Sequence, residues 1–356
     1  MPALLKFLLR RLFAIPVTLL IITATLYGIL MLAPVEMRAE LYMPRGSSNN
    51  PNNNPERIRQ QIIKEHGLND PYPVQYIRWM GRLLRGDWGW SPGFRDDVLE
   101  ALLVRTPATA ELTLYAILLL IPLGIISGGW AGAKEHRAVD HVFRVAAFVA
   151  TAIPPFVLAL VLLGIFYAGL KWFPPGRLSI SEHYIVTGAG FTPYTGLLTL
   201  DGLLNNRPDI SLSALRHLVL PCITLSMVHW ATLGRMTRAM MIEELHKDYI
   251  TVARGKGLKE RLVIGRHALH NAMIPALNSI ALSAASLIMG VFVVEVVFSF
   301  PGVSEVVVSS MRGAPDIVAA LGFAVYSVLL VLPVMVILDI LQAVFDPRLR
   351  DALAEQ

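Results

Sequence analysis

Residues 12–33 read Leu12-Phe-Ala-Ile-Pro-Val-Thr-Leu-Leu-Ile-Ile-Thr-Ala-Thr-Leu-Tyr-Gly-Ile-Leu-Met-Leu-Ala33, 22 residues without a charge. Wound as an α-helix, a run of about 20 residues spans roughly 30 Å, the thickness of a bilayer's hydrocarbon core. Lys6, Arg10 and Arg11 precede it, as basic residues precede a secretory signal, but the apolar core of a signal is shorter, so the length favours a retained helix. Five further charge-free runs follow: Leu112 to Ala133, Val145 to Leu170, Leu218 to Gly234, Ala272 to Val294 and Ile317 to Leu338. Of the 356 residues 54% are hydrophobic and 16% charged, with a mean hydropathy of +0.56. A soluble enzyme, a disordered tail protein, a coiled coil and a nucleic-acid-binding module are thereby excluded. The expected fold class is an all-α membrane protein with six transmembrane helices, treated as a single domain over 1–356.

Six spans place both termini on one side. With the N-terminus inside, the short cytoplasmic segments carry Lys6, Arg10 and Arg11, then Lys134, Arg137 and Arg144, then the basic stretch 235–270, then Arg348 and Arg350. That distribution obeys the positive-inside rule. Residues 35–105, 171–214 and 299–315 then lie outside. The first of these is arginine-rich, yet loops longer than about 60 residues translocate largely regardless of charge. It opens with a Pro/Asn/Ser-rich patch, Met43 to Pro55, that reads as flexible loop. Pro55 to His66 reads as a surface helix stopped by Gly67. Gly124, Gly128 and Gly132 form a small-xxx-small face suited to close helix packing. Prolines 122, 154, 155, 221, 275 and 333 are expected to break nearly every span. Cys222 is the only cysteine, which excludes an intrachain disulfide and a cysteine metal site. His267 and His270, at i and i+3, lack the further ligands a metal shell needs, so no metal is expected.

Ionisable groups near or inside spans are costly, and Glu111, His229, Glu295 and Asp339 are the cases. Glu111 and Glu295 are expected near outer helix ends within reach of water, and Asp339 near the inner end, each capping a helix or satisfying loop backbone groups. A pore-lining or gating role for Glu295 is the alternative.

The segment 235–270 has eight Lys/Arg and four Asp/Glu, +4 of the chain's +5. Met241, Leu245, Tyr249 and Val252 recur at steps of 4, 4 and 3, which predicts one amphipathic helix. Gly255 and Gly257 interrupt it, and Leu258, Leu262, Leu269 and Met273 resume a helical face. On composition alone such an element either lies on anionic lipid headgroups or docks a soluble partner.

The residues themselves favour docking. Asp248-Tyr-Ile-Thr-Val-Ala-Arg-Gly-Lys-Gly-Leu-Lys-Glu-Arg261, followed by Arg266-His-Ala-Leu-His-Asn-Ala-Met-Ile-Pro275, resembles the cytoplasmic loop of ABC importer permeases of the oligopeptide/dipeptide family. The family's Glu-Ala-Ala-x-x-x-Gly pattern falls on Thr251, Val252, Ala253 and Gly257, matching at Ala253 and Gly257. Leu68-Asn-Asp-Pro-Tyr-Pro-Val-Gln-Tyr-Ile-Arg-Trp79 with Gly86-Asp-Trp-Gly89 resembles the family's first extracellular segment. Glu295-Val-Val-Phe-Ser-Phe-Pro-Gly302 is similar to the end of its fifth helix, and Asp346-Pro-Arg-Leu-Arg350 to its C-terminal signature. The chain departs from the pattern at Ala33-Pro-Val-Glu36, where Gly-Asp-Pro is usual, and in longer stretches at 43–55 and 176–210.

The resemblance implies a type I ABC importer permease fold with extracellular insertions, in the cytoplasmic membrane of a prokaryote. It implies four kinds of partner besides lipid: a second homologous permease, two ATP-binding subunits, an extracytoplasmic solute-binding protein and the transported solute, with no nucleic acid. Asp248, Tyr249, Ala253, Arg254, Lys256 and Gly257 are then the docking residues for the ATP-binding subunits, and Glu295, Phe300 and Pro301 a candidate gate. No Gly-x-x-x-x-Gly-Lys-Ser/Thr is present, so ATP is expected to be bound and hydrolysed on partner subunits, with no cofactor and no catalytic residue on this chain. Peptide is the expected cargo. Oligosaccharides, nickel or opines in the same importer class, and an ion-coupled secondary transporter working alone, are the alternatives. The last requires ionisable groups at the bilayer midplane, which only His229 approaches.

Overall fold

The computed structural model describes residues 2–42, 55–311 and 316–345, with parts of the terminal helices and of 274–289 as backbone alone. The Pro/Asn/Ser-rich patch up to residue 54 and the Asp346–Arg350 signature lie outside the described residues, as does the side chain of Asp339. In chain order the helices are α1 (Pro2–Leu30), α2 (Val35–Ala39), α3 (Pro55–Glu65), α4 (Tyr72–Leu84), α5 (Val98–Ala133), α6 (Ala138–Ala152), α7 (Pro155–Leu162), α8 (Ile180–Val186), α9 (Leu198–Leu204), α10 (Pro208–Leu245), α11 (Asp248–Gly255), α12 (Glu260–Leu262), α13 (His270–Val297), α14 (Ser304–Ser310) and α15 (Ile317–Phe345). Among the described residues the one strand pairing is a two-residue antiparallel ladder, Trp90–Ser91 with Asp96–Asp97. The protein is all-α in class.

Three helices among the described residues are long and apolar enough to cross a bilayer: Phe13–Leu30 within α1, α5 and α10. α6 and α7 with its continuation to Gly169 pass the same test as a pair but are bent by 103°. α13 and α15, 28 and 29 residues long, occupy the fifth and sixth charge-free runs. Proline breaks are far fewer than expected. Pro122, Pro221, Pro275 and Pro333 all lie within continuous helices, where one lost N–H bond is tolerated because the rest of the span stays bonded. The break at Pro154-Pro155 has a local cause: a proline drives the residue before it out of the helical region, and Ile153 is extended at φ −88°, ψ 121°. Pro155 then starts the next helix, its missing N–H costing nothing at that position.

The chain divides into two compact units. One comprises Leu5–Pro107 and Gly302–Pro333. In it α4 lies on α1 through rings: Tyr27 is buried within 6.1 Å of the Tyr72, Tyr76 and Trp79 ring centres. The Tyr72 hydroxyl donates to the Ala24 carbonyl at 2.6 Å. Gly67 takes φ +58° just after α3, the helix stop that the sequence predicts. Asp316 caps α15 at the Ala319 N–H and also accepts from the Ser91 hydroxyl at 2.5 Å. The stretch 299–315, expected outside, contains a helix, α14, before its undescribed residues.

The other unit comprises Met1–Leu4, Ala108–Pro301 and Val334–Gln356. Within it α5 approaches α10 as closely as only small residues allow. A Cβ on Gly128 would stand 2.2 Å from the Gly234 carbonyl oxygen, one on Gly124 2.7 Å from Leu233, and one on Gly132 2.8 Å from the Arg238 carbonyl. The small-xxx-small face is therefore a packing seam. Around it Leu112, Ala116, Leu120, Leu218, Leu225, Leu287, Val291 and Phe298 form the apolar core. α6 is pinned to α10 where Asp140, fully buried, accepts two hydrogen bonds from the Arg238 guanidinium at 2.5 and 2.8 Å. Residues 171–214 are not a plain loop: they hold α8, α9 and the first turns of α10.

Candidate coupling site and outer helix end

α10 continues well past the membrane run to Leu245, so Met241 and Leu245 belong to it rather than to a separate surface helix. The chain breaks at His246-Lys247, where Lys247 is extended at φ −77°, ψ 149°, and restarts as α11. Asp248 stands in the first turn of α11, where a carboxylate meets the positive end of the helix dipole. The periodicity runs through the break because Met241, Ile250, Ala253, Val263, Ala268 and Ala272 pack into one small apolar cluster. Residues from both helices serve the same core, so the spacing alone hides the bend.

α11 ends in a Schellman motif. Gly257 takes φ +74°, its N–H donates to the Arg254 carbonyl at 2.9 Å, and the Leu258 N–H reaches the Ala253 carbonyl at 3.4 Å. The positive φ that the turn demands is the reason glycine stands there. Across the turn the Arg254 guanidinium makes two bonds to Glu260, at 2.7 and 3.2 Å, which raises the Arg254 pKa and lowers that of Glu260.

The six residues assigned to docking divide between two faces. Asp248, Arg254, Lys256 and Gly257 are exposed, together with Thr251 and Val252, the latter 55% exposed. Ala253 is only 7% exposed and faces its own chain in the apolar cluster, so it offers no surface to another protein. Tyr249 also turns inward. The apolar face of α11 is thus Tyr249, Ile250 and Ala253, not Tyr249 and Val252. Beyond the turn, Leu258 and Leu262 are exposed, while Val263 and Ala268 are buried. Residues Val263–Leu269 form a π-helix, whose wider turn rotates the buried face away from the register that a 3.6-residue period predicts.

Two residues that the sequence reading gives no role organise this end. Glu244, the penultimate residue of α10 and largely buried, accepts from Lys247 Nζ and from the Tyr249 hydroxyl, each at 2.5 Å. Asn271, in the first turn of α13, donates to the Tyr249 oxygen at 3.0 Å. Burial and the Glu244 carboxylate raise the Tyr249 pKa, so the phenol keeps its proton. Nothing in the spacing marks either residue, since Glu244 is one acid in a basic segment. Beside them Tyr249, Gly265, Arg266, His267, His270 and Asn271 line an open cavity of about 520 Å³.

At the other end of α13, Glu295 and Phe300 are brought together by a second Schellman motif. Ser299 takes φ +51° and the Phe300 N–H donates to the Glu295 carbonyl at 2.8 Å. Phe300 is buried in the apolar core and Pro301 is exposed. The Glu295 carboxylate is fully buried and accepts from the Thr109 hydroxyl at 2.5 Å. Glu111 is equally buried: it accepts from Arg177 at 2.6 and 3.1 Å and from both the N–H and hydroxyl of Thr199 at 2.8 Å. Water therefore reaches neither carboxylate, contrary to the expectation from their position near span ends. Partners 66 to 186 residues away in sequence replace it. His229, midway along α10, is half-buried.

Residues 120–351 match the family described as "Binding-protein-dependent transport system inner membrane component", and residues 4–113 match the N-terminal region described for the same membrane components. The chain belongs to this family. It is a multi-pass permease of the cytoplasmic membrane and one part of a multi-subunit transport system. The permease is 37% identical over 299 residues to the probable D,D-dipeptide transport system permease protein DdpB of Escherichia coli, covering 83% of this chain and 84% of that one. It is 33% identical to the oligopeptide transport system permease protein AppB of Bacillus subtilis, over 96% of this chain and 97% of the relative. It is 32% identical to the di/tripeptide transport system permease protein DppB of Pseudomonas aeruginosa, over 83% and 85% of the two chains.

Proposed function

We propose that this permease carries peptides inward, forming the path with a second homologous permease and docking two ATP-binding subunits through α11 and its glycine turn. The observation that carries the docking role is the exposed face Asp248, Thr251, Val252, Arg254, Lys256 and Gly257, presented on a short helix at the end of α10. The peptide cargo is supported by the names of the relatives, each a peptide transport permease. An extracytoplasmic solute-binding protein delivers the cargo. ATP is bound and hydrolysed by the partner subunits, and this chain holds no cofactor. Closure of those subunits displaces α11, and the displacement switches the path between inward- and outward-facing forms by rigid-body motion. At the outer end, the gate is the Glu295–Phe300 helix end beside the exposed Pro301.

The expected result with purified components is no ATP turnover by this chain alone, and turnover once the ATP-binding subunits and second permease are added. ATP hydrolysis by the isolated, contaminant-free chain contradicts the reading. Screening a peptide library against the cognate solute-binding protein tests the cargo, and selective binding of a sugar or metal instead of peptides overturns it.

A further inference from the structure

Three elements meet at a single oxygen atom. The Tyr249 hydroxyl belongs to α11, donates to Glu244 Oε2 at the end of α10, and accepts from Asn271 Nδ2 at the start of α13. Each bond holds α11 to a different long helix, and Glu244 also holds Lys247 in the connecting break. The linkage is directional and partly buried, where a hydrogen bond to an ionised carboxylate is stronger than a neutral one. The apolar contacts of Ile250 and Ala253 hold α11 against the same cluster but permit sliding, since dispersion contacts have no preferred direction. On one side the phenol lines the cavity of about 520 Å³, so a swing of α11 in that direction meets open space. The remaining polar contact of the phenol is a long one, 3.5 Å from its oxygen to the His267 carbonyl.

We propose that Tyr249 is a positioning residue: its hydroxyl latches α11 to α10 and α13 together, so that a push on α11 moves both long helices instead of tilting α11 alone. This rests on the docking reading, and assigns Tyr249 an internal role distinct from the exposed docking face. Loss of the latch uncouples ATP hydrolysis from transport while leaving the partner subunits bound.

The test uses the full complex in proteoliposomes, with trialanine as the transported probe. Tyr249→Phe removes the hydroxyl and keeps the ring, and Asn271→Leu removes the second bond from the other side. Each variant should keep ATP hydrolysis within about twofold of wild type and lower uptake per ATP at least fivefold, and the double variant should be no worse than either single one. Nitroxides at Glu243→Cys and Gly255→Cys, the latter an exposed position of α11 outside the docking face with open space around its Cβ, on a Cys222→Ala background, read the α10–α11 geometry directly. Their dipolar broadening should be the same in nucleotide-free and vanadate-trapped wild type, and should differ between the two states in Tyr249→Phe. Wild-type uptake per ATP in both variants overturns the latch. So does loss of the ATP-binding subunits from the Tyr249→Phe complex, which makes the tyrosine a docking contact. Failure of the wild-type chain itself to bind those subunits overturns the docking reading instead, and the latch with it.

Discussion

Gly257→Asp should abolish transport, with uptake falling at least tenfold and the ATP-binding subunits lost on co-purification, while the chain still inserts and folds. The structure separates these effects. A Cβ at Gly257 finds nothing within 4 Å, so the substitution meets no clash inside the chain. The φ of +74° costs an L-residue about 1–2 kcal/mol, and aspartate is among the residues that adopt it most readily. What remains is a new carboxylate projecting from an exposed turn into the space where a partner must approach. Gly257→Asn, with the same backbone tolerance and no charge, should fall between the two. If α11 merely lay on anionic lipid, Gly257→Asp would leave most transport intact, whereas removing Lys256, Lys259 and Arg261 together would release it. Wild-type uptake with normal co-purification in Gly257→Asp therefore contradicts docking through this turn.

Glu111→Ala should cost about 3–5 kcal/mol of stability, the usual penalty for removing one partner of a buried ion pair. Among the described residues Arg177 would keep the Gly196 carbonyl at 2.6 Å as its one partner, and the N–H and hydroxyl of Thr199 would lose their acceptor. Since Arg177 and Thr199 lie on either side of α8, the segment between them should also become open to proteolysis. Glu111→Gln retains an acceptor for Thr199 and should cost less. Thermal unfolding of the complex in detergent, read beside limited proteolysis, checks both effects. An unchanged melting temperature in Glu111→Ala contradicts the assignment.

Much of this architecture is legible from spacing and charge, because bilayer thickness fixes the length of each span. The seam at Gly124, Gly128 and Gly132 and the left-handed turn at Gly257 are equally legible, since close approach and positive φ each demand glycine. What spacing misses is geometry that depends on partners far away. Met241 and Tyr249 keep step in sequence although a bend separates their helices, because both sides of the bend fill one cluster. The π-turn at Val263–Leu269 shifts the buried face in a way no fixed period anticipates. Glu111 and Glu295 sit where water is expected, yet the packing of α5, α9 and α13 encloses them and supplies donors instead. Ala253 illustrates the same limit at the site: a small residue on a helix suits a partner's surface and its own core equally well, and only the fold decides for the core.

The most direct test of docking through α11 is photo-crosslinking from Val252, the most exposed apolar side chain of that helix. With a benzophenone amino acid at this position in transport-competent membranes, the account predicts a product joining this chain to an ATP-binding subunit, formed in wild type and lost in Gly257→Asp. Crosslinking of Val252 to lipid alone, from a complex that still transports, would contradict it.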